Sequence, residues 1–378
     1  KIYCMNPRFF LQILLLPSLS QAEHPFPLSI THVTTLPSSV GHTGRVYGSS
    51  SFRAPDGSDR LVTTGYDGQV IVWDPWNVDG GAVARIFSGS MVTQSVVAFR
   101  GGRGFQHEVY AAFGTSGSIG VWNITTDEEA AKGEILALHR TQDKSACLAS
   151  YHTAEGQPRV VNGSYRKVGR VWDPFTGEKY VDLLGHTAPV QGIATFYDDA
   201  LHARMITCSR DHTLKVYDPS TGDVLRTLAG HEQWVKCVAT YTLRDGTVRA
   251  VSGSHDRTLR VWDPTKDGEA MKVLVGRGDT IMFVVPFELG GKVYVAGAAI
   301  WSVMIWDPDP EVKDGGRPVA VGITESEKGI KGPNFSMVGA TSEKNGVVRI
   351  FGGERFYRIF VFEVTASHEG IEMDSGEL

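Results

Sequence analysis

The sequence predicts an all-β fold of seven tandem units, each of four short strands. Three observations lead there. An aromatic-bearing segment recurs seven times: VIVWDP (70–75), IGVWNI (119–124), GRVWDP (169–174), LKVYDP (214–219), LRVWDP (259–264), VMIWDP (303–308) and IFVFEV (359–364). A seven-residue run rich in apolar residues precedes each one: 46–52, 93–99, 145–151, 190–196, 235–241, 281–287 and 335–341. Glycine is abundant, at 43 of 378 residues, as a chain made largely of turns requires.

Within a unit the elements follow in order. The apolar run is the first strand. A turn such as RAPDGSD or TLRDGTV follows, then a second strand of the RLVTTG or RAVSGS type. A tight turn leads into the aromatic strand. A loop such as DPFTGEK or DPSTGD precedes a last strand such as YVDLLG or VLRTLA. Strands this short, bounded by Gly, Pro and Asp, fit an all-β array. The repeating aromatics are Trp73, Trp122, Trp172, Tyr217, Trp262, Trp306 and Phe362, spaced by 49, 50, 45, 45, 44 and 56 residues. Gly41-His42, Gly185-His186 and Gly230-His231 each precede their aromatic by 31 residues, counted from the His.

Seven Trp-Asp-type segments in register, three with the Gly-His marker upstream, resemble the WD-repeat (WD40) family over residues 28–365. The resemblance implies a seven-bladed β-propeller of four-stranded antiparallel blades. The physics agrees: a lone four-stranded sheet cannot cover both faces, whereas a closed ring of sheets does and leaves only short edges. Unit seven has no evident last strand after Val364, while SITHVTT (29–35) stands where one should. The expectation is that this N-terminal strand completes blade seven and closes the ring. Residues 1–27 then form an N-terminal segment and residues 366–378 a polar tail.

Composition excludes several classes. The balance of 37 Lys+Arg against 42 Asp+Glu rules out a globally basic nucleic-acid binder. No apolar run is long enough to span a membrane as a helix. Cys4, Cys147, Cys208 and Cys237 match neither a disulfide scaffold nor a metal spacing. No Gly-x-Ser-x-Gly, phosphate loop or metal-ligand motif is present. No cofactor is expected.

A Ser-His-Asp reading invites a hydrolase. His42, Thr63, Asp67 and Trp73 of unit one recur as His186, Thr207, Asp211 and Tyr217 in unit four, and as His231, Ser252, Asp256 and Trp262 in unit five. A nucleophile is normally used once, whereas this set repeats. The resemblance implies a buried hydrogen-bond chain from Asp through His and Ser/Thr to the indole, which braces each blade. The pattern decays elsewhere. Unit two has Gly89, Ala112 and Ser116, unit three Asn162 and Arg166, unit six Arg277, Ala296 and Ile300, and unit seven Gly352 and Phe356.

On the resembled fold, one end of the channel gathers Arg45, Tyr66, Lys144, Tyr165, Arg166, Arg210, Trp234, His255 and Trp301, together with Arg140, Lys167, Arg257, Arg355 and Tyr357. The opposite rim takes acids such as Asp127, Glu128, Glu129, Glu178, Asp223, Asp267, Asp309 and Asp314. Arg, Trp and Tyr tend to dominate interface energies. The expected function is therefore a non-catalytic scaffold that binds other proteins or peptides through this rim, as a monomeric propeller within a larger complex. An acidic or phosphorylated peptide is the expected ligand, with Arg166 and Arg210 as forked anion ligands and Trp234 as anchor. Nucleic acid is the weaker expectation. The alternative is an enzyme working at the channel mouth, which needs convergent unpaired carboxylates or histidines.

Compartment signals conflict. MNPRFFLQILLLPSLSQA (5–22) reads as a signal peptide, and Asn123, Asn162 and Asn334 head glycosylation-type sequons. Asn162 falls on a strand expected to be buried, and the three cysteines of the repeats look unpaired. The expectation is a cytoplasmic protein, with secretion as the alternative.

Overall fold

A computed structural model describes residues 28–36, 41–77, 82–87, 92–141, 144–276, 280–299, 302–323, 335–341, 343–354 and 359–366. The N-terminal segment, the tail from residue 367, and Gly89, Arg277, Ile300, Trp301, Arg355, Phe356 and Tyr357 lie outside them.

The described strands form seven four-stranded antiparallel sheets, each in simple sequential order except the last. Blade one runs Val46–Arg53, Asp59–Gly65, Gln69–Trp73 and Ala82–Phe87. Blade five runs Val235–Thr242, Val248–Ser254, Thr258–Trp262 and Lys272–Val275. The remaining blades repeat this plan, and their first strands start where the apolar runs predict to within two residues.

Period-two alternation joins the blades. Leu61 and Val62 are neighbours on one strand. Leu61 packs with Phe351 and Ile359 of blade seven, and Val62 with Val96 and Phe113 of blade two. Ala250 and Val251 divide in the same way between blades four and six. Each buried apolar cluster straddles one blade boundary, and the cluster of blades seven and one completes the circle.

Closure is made by strand pairing. Leu28–Leu36 pairs antiparallel with Ile359–Ala366, from Leu28 opposite Ala366 to Leu36 opposite Ile359. It is the outer strand of blade seven, as expected, and Ala366 belongs to the sheet rather than to the tail. A second latch spans the same boundary. The Arg349 guanidinium of blade seven lies 4.9 Å from the Trp76 ring centre, donates to the Pro75 carbonyl at 2.9 Å and pairs with Glu363 at 2.7 Å.

One element is new. The loop after Trp122 carries a short helix, Asp127–Lys132, capped by Thr126, whose hydroxyl accepts from Glu129 N–H at 3.1 Å, and ended by Gly133 at φ 66°. The signal was present as Thr126-x-x-Glu129 followed by a glycine. Its Asp127 holds Arg60 of blade one at 2.9 Å.

Candidate functional site

The repeated polar quartets are internal. In blade five, Trp262 Nε1–H donates to Ser252 Oγ at 2.9 Å. Ser252 lies 2.8 Å from His231 Nε2, and His231 Nδ1 lies 2.6 Å from Asp256. The Asp256 carboxylate can only accept, so a neutral imidazole carries its proton on Nδ1 and takes the serine proton at Nε2. Blade one repeats the chain, with Trp73 to Thr63 at 2.8 Å, Thr63 to His42 at 2.9 Å and His42 to Asp67 at 3.0 Å. The aspartate also accepts the backbone N–H of Thr43 in blade one and of Glu232 in blade five. It thereby ties the tight turn to the loop that enters the blade.

Burial opposes ionisation of Asp67 and Asp256, but their histidine partners and backbone donors outweigh it, and both carboxyls lie below their ordinary range. Thr63 and Ser252 have no solvent exposure. A hydroxyl sealed in this way cannot attack a substrate, so the triad reading has no geometric support in these blades.

Blade four keeps two of the three links. Thr207 and Asp211 each lie 2.7 Å from His186, but the buried Tyr217 hydroxyl it was expected to reach makes no hydrogen bond of good geometry. In blade three, Asn162 replaces the missing serine rather than losing the network. It accepts from Trp172 Nε1 at 2.6 Å and reaches Ser145 at 3.3 Å. Asn162 is fully buried, so its sequon is closed to a glycan in the folded chain.

Blades two and six correct the sequence alignment. Their second and third strands are joined by one residue fewer, so Trp122 pairs with Ala111, and Trp306 with Val295. The position facing the tryptophan is therefore Phe113, not Ala112, and Gly297, not Ala296. Phe113 fills the space in blade two, with Gly120 beneath it. A Cβ on Gly120 would meet the phenyl ring at 2.2 Å. The Trp122 indole N–H has no partner among the described residues, whereas that of Trp306 finds the Val275 carbonyl at 3.2 Å.

The chain matches the family described as WD domain, G-beta repeat over residues 31–74, 177–218 and 222–263. This is a WD40-repeat propeller. The three matched stretches cover blades one, four and five, the blades whose histidine–aspartate pair is intact. No curated protein sequence matches the chain.

Several of the expected rim residues lie together at one mouth of the WD40 propeller's channel. Residues of the tight turns reach it because their N–H groups bond the carbonyl just before the first strand: Tyr66 to Arg45 at 2.7 Å, Arg210 to Pro189 at 3.1 Å and His255 to Trp234 at 3.0 Å. The Arg210 guanidinium lies 4.6 Å from the Trp234 ring centre, and His255 meets the same indole edge-on at 5.3 Å. Arg45 lies 5.2 Å from the Tyr47 ring, which stands 6.3 Å from Tyr66. Tyr165 borders Arg210, and burial pushes its phenol up. Lys144 and Arg166 are exposed on blade three beside Tyr165.

The central residue of this mouth is one that sequence reading missed. Lys236, second in the first strand of blade five, lines the channel cavity of about 190 Å³ and donates to Gln191 Oε1 at 2.8 Å. Burial pushes its ammonium below the ordinary value, and the nearby charges of Arg210 and Arg45 push it further. His255 is lowered by burial and then by Lys236 and Arg210, and no carboxylate among the described residues acts on it. Lysine within the run VKCVATY was the available signal, since alternation turns that position toward the channel. The Nε groups of Arg45 and Arg210 and the Oε1 of Gln94 are buried without hydrogen-bond partners among the described residues.

Proposed function

We propose that this WD40 propeller is a non-catalytic interaction platform whose cationic channel mouth receives an acidic or phosphorylated peptide of a partner protein. One observation carries the reading. Arg45, Arg210 and Lys236 crowd the same mouth, beside Trp234 and His255, with no offsetting carboxylate at His255 among the described residues. Crowded like charges raise the energy of the empty site, and an incoming anion lowers it. Arginine forks suit carboxylate and phosphate oxygens, and Trp234, 42% exposed, offers an aromatic face beside them. The enzyme alternative has less support, because Asp67, Asp211 and Asp256 are all committed to their histidines.

Immobilised peptides test this. Phosphoserine-bearing and glutamate-rich peptides should be retained and lysine-rich ones not, with retention falling as salt rises. Arg210→Glu combined with Lys236→Glu should lose at least about tenfold in affinity, with an unchanged Tm. Adding Arg166→Glu asks whether blade three contributes. Equal retention by the charge-reversed protein overturns the reading.

On the same footing we place the protein in a reducing compartment, the cytoplasm. Cys147, Cys208 and Cys237 are free, and burial pushes the Cys147 and Cys237 thiols up to about 12. Recovery from a secreted fraction with a mature end near Glu23 overturns that placement.

A further inference from the structure

The turn joining the first two strands of blade four breaks a rule that its counterparts keep. Four blades share this turn, closed by the same pair of backbone bonds: Gly57 N–H to Ala54, Gly156 N–H to Thr153, Gly246 N–H to Leu243 and, in blade four, Leu201 N–H to Asp198. The third residue must take a left-handed conformation. It is glycine at φ 82°, 77° and 86° in blades one, three and five, but leucine at φ 59° in blade four. The other described non-glycine residues with positive φ are Lys167, His212, Arg257 and Asn345, all polar. Leu201 is also 78% exposed, above every other large apolar side chain described. It therefore takes on a conformational cost that glycine would avoid, and gains no burial in return.

Its surroundings make it a ridge between two clefts. One, of about 450 Å³, lies toward blade three and reaches Tyr151. The other, of about 1030 Å³, lies toward blade five and includes Tyr197 and Tyr241. The charges here are opposite in sign to those of the channel mouth. Asp198 and Asp263 are already paired, with Arg204 and with Lys266. Asp199 and Asp245 are exposed and have no ion-pair partner among the described residues.

We propose that Leu201 is the apolar anchor of a second docking surface, on the rim opposite the channel mouth, for an extended peptide segment that carries a basic residue beside a large apolar one. The apolar side chain covers Leu201 and enters the larger cleft, while the basic residue meets Asp199 or Asp245. The surface is independent of the channel-mouth reading.

Two measurements on the full chain test it. Leu201→Gly should raise the Tm or leave it unchanged, because glycine suits the backbone. A lower Tm makes Leu201 a packing residue and overturns the proposal. A displayed library of random short peptides, panned on the wild type and counter-selected on Leu201→Asp, should enrich sequences with Arg or Lys next to Leu, Phe or Ile. Those peptides should bind Leu201→Gly at least about tenfold more weakly, weaken with Asp199→Asn plus Asp245→Asn, and protect 195–201 and 240–248 from hydrogen exchange. Enrichment of acidic peptides, protection confined to the channel mouth, or no enrichment that depends on Leu201 overturns the proposal. So does a dimer in light scattering that Leu201→Asp dissolves, since it gives the surface to a second copy.

Discussion

Blade five and blade two have the same strands and equally buried tryptophans, yet they are held differently. Trp262 is bonded through Ser252 and His231 to Asp256. Trp122 stands against Phe113, its N–H without a partner among the described residues. The sheet forms either way. What differs is the loop entering the blade, which blade five ties to its tight turn through the Asp256–Glu232 bond. Apolar alternation makes a blade, and the polar chain fixes its upper loops in place. It is telling that the channel-mouth groups Trp234 and His255 hang from blade five.

The largest effect should come from the apolar side of this contrast. Phe113→Ala should cost about 3–5 kcal/mol, measured by denaturant unfolding, because a fully buried ring at the boundary of blades one and two is lost. An insensitive midpoint would show that blade two is not part of the cooperative unit. Next comes the polar side. His231→Ala should cost about 1–3 kcal/mol by leaving Ser252 and Asp256 unsatisfied, and amide exchange at 232–234 and 255–258 should quicken. His42→Ala should do the same at blade one.

A paired substitution sharpens the comparison. Trp262→Phe and Trp122→Phe both lose volume, but only the first loses a hydrogen bond. The difference between them should be about 1 kcal/mol, and equal losses would mean that the indole bond in blade five contributes nothing.

The smallest effect is in pH. Burial lowers the His186 imidazole from 6.5, so the unfolded chain takes up a proton before the folded one does. Stability from this residue is present above about 6.5 and is lost as pH falls. Asp211, lowered from 3.8 by Thr213 and His186 against the opposing effect of burial, adds a second loss below that value. His186→Asn should therefore flatten the dependence of Tm on pH between about 7 and 5. A slope as steep as the wild type's would show that the folded imidazole titrates normally.

The sequence made the seven units legible because their alternation and aromatic spacing are local. It also marked the polar quartets of blades one and five. It failed where one residue changed the register. Counting back from Trp122 and Trp306 pointed to Ala112 and Ala296, because nothing local shows that the hairpin had shortened. Lys236 escaped notice for another reason. The significance of a lysine within an apolar strand depends on what faces it from Arg45, Arg210 and Gln191, which lie on other blades. Leu201 looked like ordinary loop sequence until its backbone could be set beside Gly57, Gly156 and Gly246.

The pairing of Leu28–Leu36 with Ile359–Ala366 sets an order in time. During synthesis Leu28–Leu36, made before any other described strand, has to wait for Ile359–Ala366, made after all the others. Until then the outer strand of blade seven has no partner, and its edge stands open to any other extended chain. Completion of the circle must wait until Ile359–Ala366 has left the ribosome.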